Sequence, residues 1–142
     1  MDLTEQISKE EGMETDRRGS GHEHRSTTPW AVIVKFEIKE GCEAEWLRLV
    51  QEVLDAMRHE KTFISTSMCA HPSEPGTFML FEVWEDRDEF FAVQTKREYR
   101  RALTERLPEL TRAPVTFDEW TEIRADYAIH ARRGPSQSRG TD

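Results

Sequence analysis

Glu82 and Trp84 stand two residues apart in the apolar run Phe78-Met79-Leu80-Phe81-Glu82-Val83-Trp84. Side chains alternate along a strand, so the carboxylate and the indole share one face. Burial among such neighbours disfavours the ionised carboxylate and raises its pKa, which suits a general base acting on a weakly acidic substrate. The indole offers a flat wall for an aromatic molecule and one N–H donor. The same pair also reads as packing, with Trp84 in a core or interface and Glu82 in a salt bridge to Arg58 or to an arginine of another subunit.

Other candidates follow from position. His71 ends the segment Phe63–His71, just ahead of the turn Pro72-Ser73-Glu74-Pro75-Gly76, and is a second candidate proton carrier beside Glu82; a solvent-exposed strand end is its plain alternative. Tyr99 offers a hydroxyl donor, or a ring that packs on the sheet. Met68, Met79, Phe90 and Phe91 would line either a cavity or a core. The substrate-binding set is therefore Trp84, Arg58, Met68, Phe91 and Tyr99. His59 lies at a helix end, where a cation complements the dipole. His22 and His24 flank Glu23, but two ligands do not make a metal site, and no metal is expected.

The elements that position these residues are legible from periodicity. Val32, Val34, Phe36 and Ile38 alternate with Ile33, Lys35, Glu37 and Lys39, which predicts a strand ending at the Glu40-Gly41 turn. Trp46, Val50, Val53 and Met57 recur at helical spacing between Cys42 and about Glu60. Phe63–His71 and Phe78–Trp84 read as a hairpin across the proline-glycine turn. Asp86 and Glu89 have capping-box spacing and start a helix through Phe90 and Phe91. That helix is expected to break before a second piece carrying Tyr99, Ala102, Leu103 and Leu107, and to stop near Pro108. Val115–Ile123 supplies a last strand. The resulting order βαββαβ is the α+β ferredoxin-like arrangement, an antiparallel four-stranded sheet with its helices on one face. Because the strands carry apolar residues on both faces, the second face needs cover, and a homodimer joined through the open sheet faces would supply it.

Composition narrows the function. A chain of 142 residues with 36% apolar content supports one domain, expected over residues 29–124, with a polar arm over 1–28 and a polar tail over 125–142. The net charge of -8 argues against nucleic acid and anionic membranes as partners. Arg97, Arg100, Arg101 and Arg106 form a local basic run, but Glu98 and Glu105 punctuate it and predict a solvated, salt-bridged helix face. Cys42 and Cys69 are expected to be free thiols in a cytoplasmic protein. The start of the chain lacks a basic, then apolar, leader pattern, and no apolar run approaches membrane-spanning length.

From Trp30 to Ile123 the sequence resembles the antibiotic biosynthesis monooxygenase family, whose members form dimeric α+β barrels. The likeness is carried by the first strand with Lys39-Glu40-Gly41, by Arg58-His59-Glu60, by Pro72-Ser73-Glu74-Pro75-Gly76-Thr77-Phe78 and by Phe81-Glu82-Val83-Trp84-Glu85-Asp86, followed by the terminal strand. The resemblance implies a cofactor-independent monooxygenase acting on a small aromatic or quinol-type molecule, with dioxygen as co-substrate and no metal or flavin. It also implies that His71 lies near the barrel mouth. Family members commonly carry histidines after the Glu-x-Trp strand, where this chain has Val93 or Gln94, and Glu98 ahead of Tyr99. A glycine usual after the Arg-x-Glu element is replaced by Thr62, and the first strand lacks the asparagine of haem-degrading relatives. Two alternatives stay open: a non-catalytic relative that binds a small apolar ligand or only dimerises, and an isomerase acting on a small sugar-like signal.

Overall fold

The structure, a computed structural model, describes residues 28–130. Most of both expected arms, with His22 and His24, lies outside the described residues. Among the described residues, four strands and three helices occur in the order β1 (Trp30–Glu37), α1 (Glu43–Met57), β2 (Phe63–Ala70), β3 (Thr77–Trp84), α2 (Arg87–Ala92), α3 (Arg101–Leu110) and β4 (Thr116–Thr121). The sheet is antiparallel in the order β2-β3-β1-β4. This is the expected ferredoxin-like α+β fold.

The alternation read in β1 and β3 decides which side chains meet the helices. Val32 pairs with Glu82, Val34 with Leu80 and Phe36 with Phe78, and residues paired across a ladder share a face. That face packs against Trp46, Leu49, Val50, Val53 and Met57 of α1, and against Leu107 and Leu110 of α3. Trp46 is fully buried, with its ring centroid 4.4 Å from that of Phe78. The opposite face carries Ile33, Lys35, Met79, Phe81 and Trp120, and in the protomer Phe81 is 37% and Trp120 58% exposed.

Two local signals are met in detail. Gly76 closes the β2–β3 hairpin at φ +79°, and a Cβ there would stand 2.6 Å from the Ile38 carbonyl oxygen. Only glycine meets both the backbone angle and the close approach. Asp86 caps α2 by accepting from the backbone N–H groups of Asp88 and Glu89. The reciprocal half of the capping box is missing, because the Glu89 carboxylate accepts from Thr62 and Gln94 instead.

Two expectations need correction. α3 does not stop at Pro108 but runs through it to Leu110. Proline removes a single hydrogen bond there, while Thr111 N–H and Oγ1–H both reach the Leu107 carbonyl and Leu110 is buried. The basic run is not one solvated face either. The helix breaks into two single 3-10 turns, Gln94–Lys96 and Glu98–Arg100, and Arg97 between them is extended at ψ 136°. The break shifts the helical phase and turns Arg100 inward, whereas Arg101 and Arg106 stay in surface ion pairs with Glu98, Glu105, Glu45 and Glu109.

Candidate active site

Glu82 is 3% exposed, on the helix-covered face two residues before the end of β3. It borders a cavity of about 60 Å³ between the sheet and helices α1 and α3, where Val34, Phe36 and Leu80 face Val53, Leu103 and Leu107. Arg100 joins it at the wall. These are the polar and charged groups that matter in an otherwise apolar enclosure, together with Thr95 and Thr104 nearer the helices.

Burial pushes the Glu82 carboxyl above the usual carboxylate range. The Arg100 charge and the Trp84 N–H act in the opposite direction without cancelling it. A buried carboxylate is otherwise very costly, so a partner cation is what the apolar strand demanded. The cation whose charge acts on it is Arg100, which lines the same cavity without a direct ion pair to the carboxylate. Arg58, one of the partners anticipated for Glu82, is exposed at the end of α1 and does not line the cavity.

Arg100 sits in an aromatic cage, with its guanidinium carbon 5.4 Å from the Phe90 ring centroid, 5.7 Å from Tyr99 and 6.0 Å from Trp84. Such contacts hold a cation out of water at modest energetic cost. Its Nε and Nη2 atoms are buried and have no hydrogen-bond partner. The residue lies in the 3-10 turn that Tyr99 anchors, because the Tyr99 hydroxyl donates to Glu60 Oε1 at 3.2 Å. Glu60 also accepts from Gln94 Nε2 at 3.3 Å and pairs with Arg97 at 2.9 Å. Burial raises the Glu60 pKa, but the hydrogen bonds from Gln94, Arg97 and Tyr99 outweigh it and hold the carboxyl below its ordinary value. The Tyr99 hydroxyl is pushed up by burial, opposed by Arg100 and reinforced by Glu60.

The remaining sequence candidates are distributed as follows. Trp84 is fully buried, packs on Phe63 and Phe90, and donates from Nε1 to Glu82 Oε1 at 3.3 Å. It steadies the carboxylate and is not a wall of the cavity. Met68, on the same sheet face opposite Leu80, packs against the core. Phe91 packs on Trp30, Phe90 and Phe117. His71 is exposed at the hairpin, where Nδ1 accepts from the backbone N–H groups of Ser73 and Glu74. It borders a separate groove of about 370 Å³ with Ile33, Lys35, Cys69 and Met79, so the structure does not bring it to Glu82's cavity. At the positions that lack the family's histidines, Gln94 is 1% exposed and its amide donates to Glu60, Thr62 and Glu89, whereas Val93 is exposed. Both cysteines are free, and among the described residues no three His, Cys, Asp or Glu side chains are grouped to hold a metal ion.

Residues 29–112 match the antibiotic biosynthesis monooxygenase family. The chain belongs to that family. The fold agrees with solved structures across nearly their whole length. The crystal structure of an antibiotic biosynthesis monooxygenase is 21% identical with a TM-score of 0.61, covering 67% of this chain and 99% of that one. A Mycobacterium tuberculosis protein gives 18% identity and a TM-score of 0.63, covering 70% and 99% of the two chains. A Pseudomonas aeruginosa protein gives 18% and 0.63, covering 71% and 99%. At these identities the likeness establishes the architecture. No curated protein shows significant sequence similarity to the chain. Within this antibiotic biosynthesis monooxygenase domain, Arg100 is the residue that sequence reasoning missed. The one available signal was the demand of Glu82 for a buried cation, which does not say which arginine answers it. Among the described residues no helix is long and apolar enough to cross a membrane.

Proposed function

We propose that the protein is a cofactor-independent monooxygenase that oxidises a small aromatic or quinol-type molecule with dioxygen, with Glu82 as its base. The observation that carries this reading is the buried Glu82 carboxyl, with Arg100 beside it in the wall of one apolar cavity and its charge acting on that carboxyl. Glu82 takes the proton of a phenol or enol, and its raised pKa brings it closer to such a donor. Arg100 faces the oxyanion that forms. The substrate anion then passes an electron to dioxygen, and the two radicals join in a C–O bond. Glu82 returns the proton to give a hydroperoxide. Removal of the hydrogen on the same carbon breaks the O–O bond and leaves a carbonyl, and the departing hydroxide is protonated to water. One oxygen atom enters the product and the other leaves as water, so the substrate supplies all the electrons.

The size of the cavity restricts the substrate. About 60 Å³ is less than half the roughly 150 Å³ of an engineered cavity that holds benzene. A ring enters only when Leu54, Leu103 and Thr104, half-buried at the helix side of the cavity, move outward. The same small volume favours a second reading, a ligand-binding relative without turnover. Oxygen consumption separates the two. Purified, metal-free protein mixed with quinols and anthrones should consume oxygen above a denatured control, and absence of uptake across the panel selects the binding reading.

The proposal includes a homodimer in the cytoplasm, formed through the sheet face opposite the cavity. The apolar side chains Ile33, Met79, Phe81 and Trp120 on that face support it.

A further inference from the structure

Among the described residues, four buried side-chain nitrogen or oxygen atoms have no hydrogen-bond partner: Trp46 Nε1, Thr66 Oγ1, Arg100 Nε and Arg100 Nη2. Trp46 is enclosed by Phe36 and Phe78 in the core. The other three belong to Thr66 and Arg100, both placed near Glu82. Thr66 is its direct neighbour across the β2–β3 ladder and so lies on the same face, and Arg100 shares the cavity wall with it. Native proteins rarely leave buried polar atoms unpaired, and those of Arg100 belong to a residue that lines the cavity.

The pattern on Arg100 carries more information than its charge. Nε–H and Nη2–H form one edge of the planar guanidinium and point the same way, a fork that matches two oxygens side by side. A carboxylate has that shape but would bring a second negative group against Glu82, and like charges in an apolar enclosure repel strongly. A neutral molecule with oxygens on neighbouring carbons meets the fork without this conflict. One of its hydroxyls gives a proton to Glu82, and Thr66 Oγ1 is free to bond the other oxygen.

We propose that the Glu82 cavity selects aromatic molecules with two oxygens on adjacent positions, a catechol or an ortho-hydroxycarbonyl, through the Nε/Nη2 edge of Arg100 assisted by Thr66. This deepens the oxygenase reading and rests on the same site, but it concerns recognition and is testable without turnover.

The test is binding under anaerobic conditions, read by tryptophan fluorescence and calorimetry, with catechol, resorcinol, hydroquinone and benzoate. The intact protein should bind catechol at least about tenfold more tightly than either isomer, because a site built around paired hydrogen bonds rejects analogues that leave its polar groups unpaired. Arg100→Lys keeps the charge and loses the fork, so it should bring the three isomers to within about twofold of one another. Thr66→Val should weaken catechol more than hydroquinone. Equal binding of the isomers by the intact protein overturns the inference, as does tighter binding of benzoate or a preference that survives in folded Arg100→Lys. The comparison among isomers needs no variant, so a variant that misfolds leaves the test standing. Isomer preference without oxygen uptake in air would keep this inference and reject the oxygenase. Uptake without isomer preference would do the reverse.

Discussion

The Trp84 indole donates from Nε1 to Glu82 Oε1 at 3.3 Å, two residues back along the same strand and on the same face. The contact fixes which way the carboxylate lies while its pKa stays raised by burial. Trp84 therefore orients Glu82 from outside the cavity, which Glu82 and Arg100 line.

Glu82→Gln should reduce oxygen uptake by about 10²–10⁴-fold, the usual contribution of a positioned base. It should also change stability with a defined sign. The folded pKa of Glu82 lies above its unfolded value, so between the two values the folded wild type binds more protons than the unfolded chain. Wild-type stability relative to Glu82→Gln is then greatest at low pH and declines as pH rises from about 4 through the folded pKa. Urea unfolding of both proteins across pH measures this, and a difference that grows in the opposite direction contradicts it.

Glu82 and Arg100 should be energetically coupled. Arg100→Leu withdraws the charge that favours ionised Glu82, Glu82→Leu withdraws the acid on which that charge acts, and the double variant removes both. The two single losses should exceed the double loss by about 0.5–3 kcal/mol. Strict additivity in chemical denaturation would show that the guanidinium does not serve the carboxylate.

Leu103 is half-buried at the cavity. Leu103→Ala should cost about 2 kcal/mol, near the lower end for a truncated leucine because the site is not fully enclosed. In exchange the cavity widens, and single-ring ligands should bind more tightly or turn over faster than in wild type. Calorimetry with phenol reports the first effect, and unchanged affinity argues that the ring enters elsewhere.

Glu60 anchors the Tyr99–Arg100 turn through Tyr99, Gln94 and Arg97. Its folded pKa is lowered, so its contribution is complete above the ordinary carboxylate value and fades as pH falls through the folded one. Glu60→Gln should cost about 1–3 kcal/mol at neutral pH, the range for a hydrogen bond to a charged group, and the gap from wild type should close on acidification. A gap independent of pH would indicate a loss of packing alone.

The face opposite the cavity exposes Phe81 and Trp120. Phe81→Lys places a charge in the proposed dimer interface and should shift the mass measured by light scattering from two chains toward one. A monomeric wild type at micromolar concentration removes the dimer from the proposal.

Much of the fold is readable from local pattern, because alternation and helical spacing report which faces an element buries. The period-two run of β1, the stripe Trp46, Val50, Val53, Met57 on α1, the glycine-closed hairpin and the Asp86 cap all appear where the pattern places them. Pro108 misleads for the opposite reason: its local rule is sound, but burial of Leu107 and Leu110 offsets one missing hydrogen bond.

The sequence by itself determined the family, the sheet, and that Glu82 and Trp84 share a face. It also offered a salt bridge to an arginine as an alternative role for the Glu82 carboxylate. Only the tertiary structure decided which cation, since Arg97, Arg100, Arg101 and Arg106 are alike as residue types and differ in where the chain breaks. A break ahead of Tyr99 is expected from the sequence, but no glycine or proline fixes its place at Arg97 or its phase. It accompanies contacts distant in sequence, from Arg97 and Tyr99 back to Glu60, and they place Arg100 in the wall of the cavity that Glu82 also lines. Local propensity cannot encode such a phase shift, because the groups that stabilise it are about forty residues away and meet only after the chain has packed.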